Sequence, residues 1–165
     1  MILKHGIKQS KIQMNKLHFL IEEFPVILRA IPETEEAKFG KMNLHQMIEH
    51  MAWSVKIANG EIEFPCKLAP EVVSKMHSFM MGDKPFKENT PNSNLPTEPV
   101  PVLTDTVNTA IDQLQSELVF FKERYENEEG LQIVNPFFGT LNFKEQIQLL
   151  HKHALHHLRQ FGVRV

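Results

Sequence analysis

The sequence predicts an all-α protein, a four-helix bundle with long connecting loops and one short extra helix. Three observations carry this reading. Long segments repeat apolar residues at spacings of three and four, several of them open on a capping residue and close on glycine, and no alternating strand pattern recurs along the 165 residues. No internal repeat is visible.

The first helix is expected from about Ser10 to Ile31, with Ile12, Leu17, Leu20, Phe24, Ile27 and Leu28 on its apolar side. Pro25 must kink or divide it, because proline removes a backbone donor and clashes with the preceding turn. A charged connector, PETEEAKFGKM, follows. Asn43 with Gln46 three residues later then reads as a capping box opening a second helix that ends at Gly60. Leu44, Met47, Ile48, Met51, Ala52, Val55 and Ala58 give this helix a wide apolar stripe, which Trp53 and Ile57 extend round a second side. It is therefore expected to be central and largely buried.

A shorter helix is expected over Pro70 to Met81, since proline suits a first helical turn. From Gly82 to Pro101 the chain turns to Gly, Asn, Ser, Thr and repeated Pro, which no regular element tolerates; it reads as one long ordered loop packed over the domain, suited to a lid. Thr104 or Asp105 is expected to cap a long helix to about Asn127, with Val107, Ile111, Leu114, Leu118 and Phe121 inside. A second loop, NEEGLQIVNPFFGT, leads to the last helix. There Asn142 and Glu145 form another capping box, Gly162 marks the stop, and Phe143, Ile147, Leu150, Ala154, His157 and Phe161 form the buried stripe.

Composition narrows the function classes. A chain of this length is expected to form one compact domain over residues 1–165 and to bury roughly 70% of its unfolded surface. The net charge of −2, from 18 basic and 20 acidic residues mixed along the sequence, supplies no electrostatic footprint for nucleic acid. No stretch approaches the ~20 apolar residues of a membrane span, and the N-terminal segment has no uninterrupted apolar h-region. The single cysteine, Cys66, excludes an internal disulfide framework and any CxxC metal knuckle, and reads as an inert small residue. A cytoplasmic protein with a small-molecule substrate is expected, with no nucleic-acid or membrane partner; a homodimer is compatible with the sequence.

Four of the nine histidines, His151, His153, His156 and His157, crowd the last helix. His153 and His157 lie about 40° apart in azimuth and one turn apart in height, so both imidazoles can reach one point. His156, turned about 140° from the stripe centre, is expected to face solvent, and His151 projects from the opposite flank. On the second helix His45 shares its side with Lys41, Glu49 and Lys56, which looks solvated, whereas His50 lies near Met47, Trp53 and Ser54 on the second apolar side. A neutral imidazole buried there needs a partner, and a metal supplies one. His50, His153 and His157 would leave one or more coordination positions open, as in a site that acts as a Lewis acid and lowers the pKa of bound water to about 7. Zn, Ni, Cu or Fe suits such ligands. The alternative is a solvated histidine-rich face with His50 hydrogen-bonded in the core, and Trp53, Met47 and Met51 read as core rather than as a substrate-stacking box.

The combination NLHQMIEHMAWSV, NPFFGTLNF and HKHALHHLRQFG resembles the DinB/YfiT-like superfamily of metal-dependent proteins, in particular a branch of unknown function with a similar PFFG turn and HHLRQFG ending. The resemblance runs from Lys41 to Gly162. It implies a four-helix bundle whose metal is held by one histidine of the second helix and an HxxxH pair of the last, matched here by His50, His153 and His157. It also implies a reaction class, either hydrolysis or thiol-dependent transfer with a low-molecular-weight thiol as cofactor, whose thiolate a metal would favour. A non-catalytic metal- or ligand-binding protein is the alternative. Glu49, beside His50, Trp53, and Gln160, three residues past His157, are the candidates for supporting the ligands from behind. The open metal position is expected to face a pocket under the proline-rich loop. With no GxSxG turn and one cysteine, the nucleophile is expected to come from outside the chain.

Overall fold

The computed structural model describes residues 11–90 and 98–164. The expected helix start at Ser10 and the loop stretch 91–97 lie outside the described residues. Within them the protein is mostly helical, with five helices and a two-stranded hairpin. The helices are α1 (11–30), α2 (Leu44–Ala58), α3 (Pro70–Met81), α4 (Val107–Asn127) and α5 (Phe143–Gln160); the strands are β1 (Gln132–Asn135) and β2 (Gly139–Asn142). No described helix is long and apolar enough to cross a membrane.

α1 runs through Pro25 by changing its winding. Residues Phe19–Glu23 form a π turn in which the Phe24 amide donates to the Phe19 carbonyl, five residues back, and regular α-helix resumes over Phe24–Ala30. Pro25 cannot donate to the Ile21 carbonyl four residues before it, and that oxygen instead accepts from Gln115 Nε2 of α4 at 3.1 Å. The expected division at Pro25 thus takes the form of a local overcoiling repaired from a neighbouring helix. Leu17, Leu20, Ile21, Phe24 and Leu28 are buried, but Ile12, expected on that face, is 43% exposed.

α2 opens on the Asn43–Gln46 capping box, with both reciprocal hydrogen bonds present, and all seven residues of its expected stripe are buried, as is Ile57. α2 and α4 run parallel. His45 near the start of α2 meets Thr104 just before α4, and Ala58 at its end offers its carbonyl to the Tyr125 hydroxyl at 3.2 Å. A parallel pair needs a connection that returns the full length of the bundle, which is why residues 59–106 are so long and carry α3 on the way. The cap of α4 is Thr106, whose hydroxyl accepts from the Thr109 amide at 3.1 Å; Thr104, expected there along with Asp105, is engaged by α2 instead. Val107, Ile111, Leu114, Leu118 and Phe121 are buried as expected.

The segment expected to be a plain loop before the last helix is a β-hairpin. Ile133 pairs with Leu141 and Asn135 with Gly139, and the Asn135 side chain accepts from the amides of Phe137 and Phe138 at 3.0 and 3.3 Å, tying the turn. Four-residue strands are too short to show an alternating pattern. Gly139 has φ +77, and a Cβ there would stand 2.8 Å from Val73 of α3, so the turn allows no larger residue. Phe138 and Leu141 bury with Met80 and Leu149 in a small second core that fastens α3 to α5. Asn142 closes β2 and at once caps α5, with both bonds of its box to Glu145. The main core is shared by α1, α2, α4 and α5, with Phe24, Met47, Met51, Leu114 and Phe121 fully enclosed.

Gln115→Ala should cost about 1 kcal/mol, the worth of one hydrogen bond to a carbonyl that Pro25 cannot serve, and clearly less in a Pro25→Ala background, where a restored amide serves Ile21. Urea unfolding of the four proteins measures this; equal losses in both backgrounds would refute the role given to Gln115.

Candidate metal centre

Three imidazoles meet between α2 and α5. His50 comes from the middle of α2; His153 and His157, one turn apart, come from the face of α5 that packs against it. His153 Nε2 lies 3.2 Å from His50 Nε2 and 2.9 Å from His157 Nε2, and the three nitrogens fall within 4.8 Å of one another. The His50 ring stands nearly perpendicular to both others, at 84° and 78°, so the three rings fan out from a common point. Two nitrogens bound to one ion at 2.0–2.1 Å are separated by roughly 3.0–3.4 Å at ordinary bond angles.

The proton positions follow from one side chain. Gln160 Nε2 donates to the Phe39 carbonyl at 2.8 Å, which orients the amide so that its Oε1 faces His157 Nδ1 at 2.8 Å. A carbonyl oxygen only accepts, so Nδ1 carries the proton and His157 Nε2 presents a bare lone pair to the cluster. Burial, with the charge of His156 adding to it, lowers the His50 pKa to about 4, and burial together with the neighbouring imidazoles holds His153 and His157 well below the ordinary value. Three neutral rings with converging nitrogens can share at most one proton per pair. A divalent cation satisfies all three lone pairs at once, so the donor set fits one.

Gln160 is itself held in place by the chain around it. The connector between α1 and α2 wraps the end of α5, the Lys38 amide donating to the Gln160 carbonyl at 2.7 Å. Gly40, with φ +76, comes so close that a Cβ would stand 2.7 Å from Gln160 Nε2. Its amide donates to Asn89 Oδ1 at 3.0 Å, linking the connector to the loop after α3. Of the other two residues expected behind the ligands, Trp53 lies beside His50, rings 6.3 Å apart and only 26° from parallel. Glu49 does not support His50. Its carboxylate accepts from the amides of Leu103 and Thr104 and from the Thr104 hydroxyl at 2.6–2.9 Å, and these bonds draw its pKa down against the burial that would raise it.

The three other histidines considered as candidates, His45, His151 and His156, do not join the converging nitrogens, and none of them is fully exposed. His45, expected on a solvated side, is covered by the strap that leads into α4, its Nε2 2.6 Å from the Thr104 hydroxyl. His156, expected to face water, lies against the Phe39 and Phe86 rings at 5.2 and 6.1 Å, because the connector and the loop after α3 close over that flank of α5. His151 packs edge-on against Phe19 at 5.1 Å. Sequence reasoning missed Phe39, Phe64 and Phe86, which sit in aperiodic segments, and Lys152, whose buried Nζ donates to the carbonyls of Phe79, Met80 and Gly82 at 2.7–3.1 Å and so closes the end of α3.

Of the proline-rich segment expected to cover a pocket, the described residue Phe86 lies beside His153 at 6.2 Å, and the Val100 carbonyl accepts from Gln46 Nε2 of α2 at 3.2 Å. Grooves of about 450 Å³ between α1 and α4 and about 190 Å³ near Ile31 do not touch the three histidines. Compared with family models, curated proteins and solved structures, the chain gives no match.

The lowered pKa values have a defined sign. Free histidines take up protons near pH 6.5 in the unfolded chain but His50 only near 4 in the fold, so the metal-free protein loses stability as pH falls through that window. Thermal unfolding in chelator across pH 7 to 4 should show the fall, and His50→Gln should make it shallower; an unchanged slope would contradict the burial of a neutral His50.

Proposed function

We propose that the chain is a divalent-metal-dependent enzyme, a hydrolase or thiol-dependent transferase, on a DinB/YfiT-like four-helix bundle, with His50, His153 and His157 as the metal ligands. The observation that carries this reading is the convergence of the three Nε2 atoms with the His157 tautomer fixed by Gln160. Zinc or nickel suits three imidazoles best, with iron or copper also accommodated. When bound, such an ion supplies a Lewis acid that polarises a carbonyl or favours a thiolate over a thiol.

The chain's own residues bind and orient. Gln160 holds His157 with its lone pair inward, and Trp53 lies along the His50 ring. The Ser54 hydroxyl donates to the His50 carbonyl at 2.9 Å, and it has no nucleophilic role in this reading. The attacking group is then water or a low-molecular-weight thiol from outside, and Cys66, the single thiol, stays free in a reducing compartment such as the cytoplasm. One observation favours the second reading, a non-catalytic metal- or ligand-binding protein: Glu49, the carboxylate next to His50 in sequence, is engaged by residues 103 and 104, and no described carboxylate is bonded to the three histidines.

Elemental analysis of purified protein is expected to find about one divalent ion per chain, abolished in His153→Ala, His157→Ala and kept in a His45→Gln, His151→Gln, His156→Gln triple variant. Unchanged metal in the double variant would overturn the ligand assignment. Gln160→Leu should weaken metal binding by about 10- to 100-fold, the usual effect of removing a hydrogen bond behind a ligating histidine; competition with a chelating dye measures it.

A further inference from the structure

The three imidazoles are bordered by aromatic rings rather than by charge. Trp53 lies nearly parallel to His50, and Phe64 closes on the indole edge-on at 5.8 Å. From the loop after α3, Phe86 meets His153 and His156 edge-on at 6.2 and 6.1 Å. Trp53, Phe64 and Phe86 each keep part of their surface exposed, as do His50 and His153. One half-exposed ring is ordinary on a protein surface. Here Trp53 lies against His50, Phe86 against His153, and Phe64 backs the indole, the kind of lining that small-molecule sites use, mostly apolar with a few polar groups to fix orientation.

Phe86 is a fixed wall. The Gly82 carbonyl is held by Lys152 Nζ at 2.7 Å, the Phe86 carbonyl by Arg159 Nη2 at 3.2 Å, and Asn89 by the Gly40 amide. These bonds also commit Lys152, which gives its ammonium to three carbonyls. Among the described residues no carboxylate, ammonium or guanidinium is bonded to His50, His153 or His157.

We propose that this site takes a ligand with a flat apolar body, aromatic in the favoured case, carrying one anionic donor: the donor meets the ion held by the histidines and the body rests against Trp53 and Phe86. The proposal rests on the metal-site reading above and adds the substrate class to it. An anionic body would meet the electron-rich faces of these rings and would lose its hydration against them.

Benzohydroxamate and acetohydroxamate test it, because they share a donor group and differ in the ring. Titrated into the cobalt(II)-loaded protein and followed by the cobalt visible bands, benzohydroxamate should bind at least about tenfold more tightly, an amount that burial of one ring supplies. In Trp53→Ala and in Phe86→Ala, on separate elements so that one still reports if the other fails to fold, the preference should drop to about threefold or less with cobalt retained. A chain that takes up no cobalt overturns both this proposal and the metal reading. A cobalt-loaded chain that binds the two hydroxamates equally, or keeps its preference in both variants, overturns this proposal alone.

Discussion

Burying three neutral imidazoles with their nitrogens converging is the constraint on which the arrangement between α2 and α5 depends. Each is held below its ordinary pKa by burial, and each turns a ring nitrogen towards the other two. Such a cluster persists only if the surroundings fix which nitrogen holds the proton and keep the rings from turning away. Gln160 does the first for His157, and the backbone carbonyl of Phe39 does it for Gln160 in turn. The direction of hydrogen bonding therefore passes from a main-chain oxygen, which cannot change its role, to the nitrogen at the centre.

Seen from that centre, the connectors are part of the scaffold. The segment between α1 and α2 supplies Phe39 and Gly40, and Gly40 bonds Asn89 in the loop after α3. That loop is fastened again by Lys152 and Arg159, both from the helix that carries two of the histidines. The strap before α4 is gripped by Glu49 and His45 from the helix that carries the third. Long irregular segments are tolerated here because side chains from α2 and α5 satisfy their backbone groups, which a loop on a bare surface would leave to water.

What could be read from the sequence was whatever repeats or caps. The boundaries of α2, α3 and α5, the two capping boxes and the stop at Gly162 follow from local chemistry, and the structure has them. The juxtaposition of His50 with His153 and His157 follows from helical phase once α2 and α5 are adjacent. What escaped depends on contacts distant in sequence. His45, Glu49 and His156 looked polar and therefore exposed, but a helix face is solvated only if no connector lies across it, and periodicity carries no information about where connectors lie. The hairpin escaped because its strands are too short for a pattern, and the π turn because Pro25 announces a lost hydrogen bond without saying that Gln115 will replace it.

Asn142 is at once the last residue of β2 and the cap of α5, so no slack separates the hairpin from the helix that bears His153 and His157. Angular phase is thereby set from the turn onwards. One residue inserted or deleted between the Phe138 anchor and His153 would rotate the two imidazoles by about 100° and shift them by about 1.5 Å relative to His50. The stretch from Phe138 to His157 is consequently a ruler of fixed length, in which substitution is negotiable but a change in residue count is not.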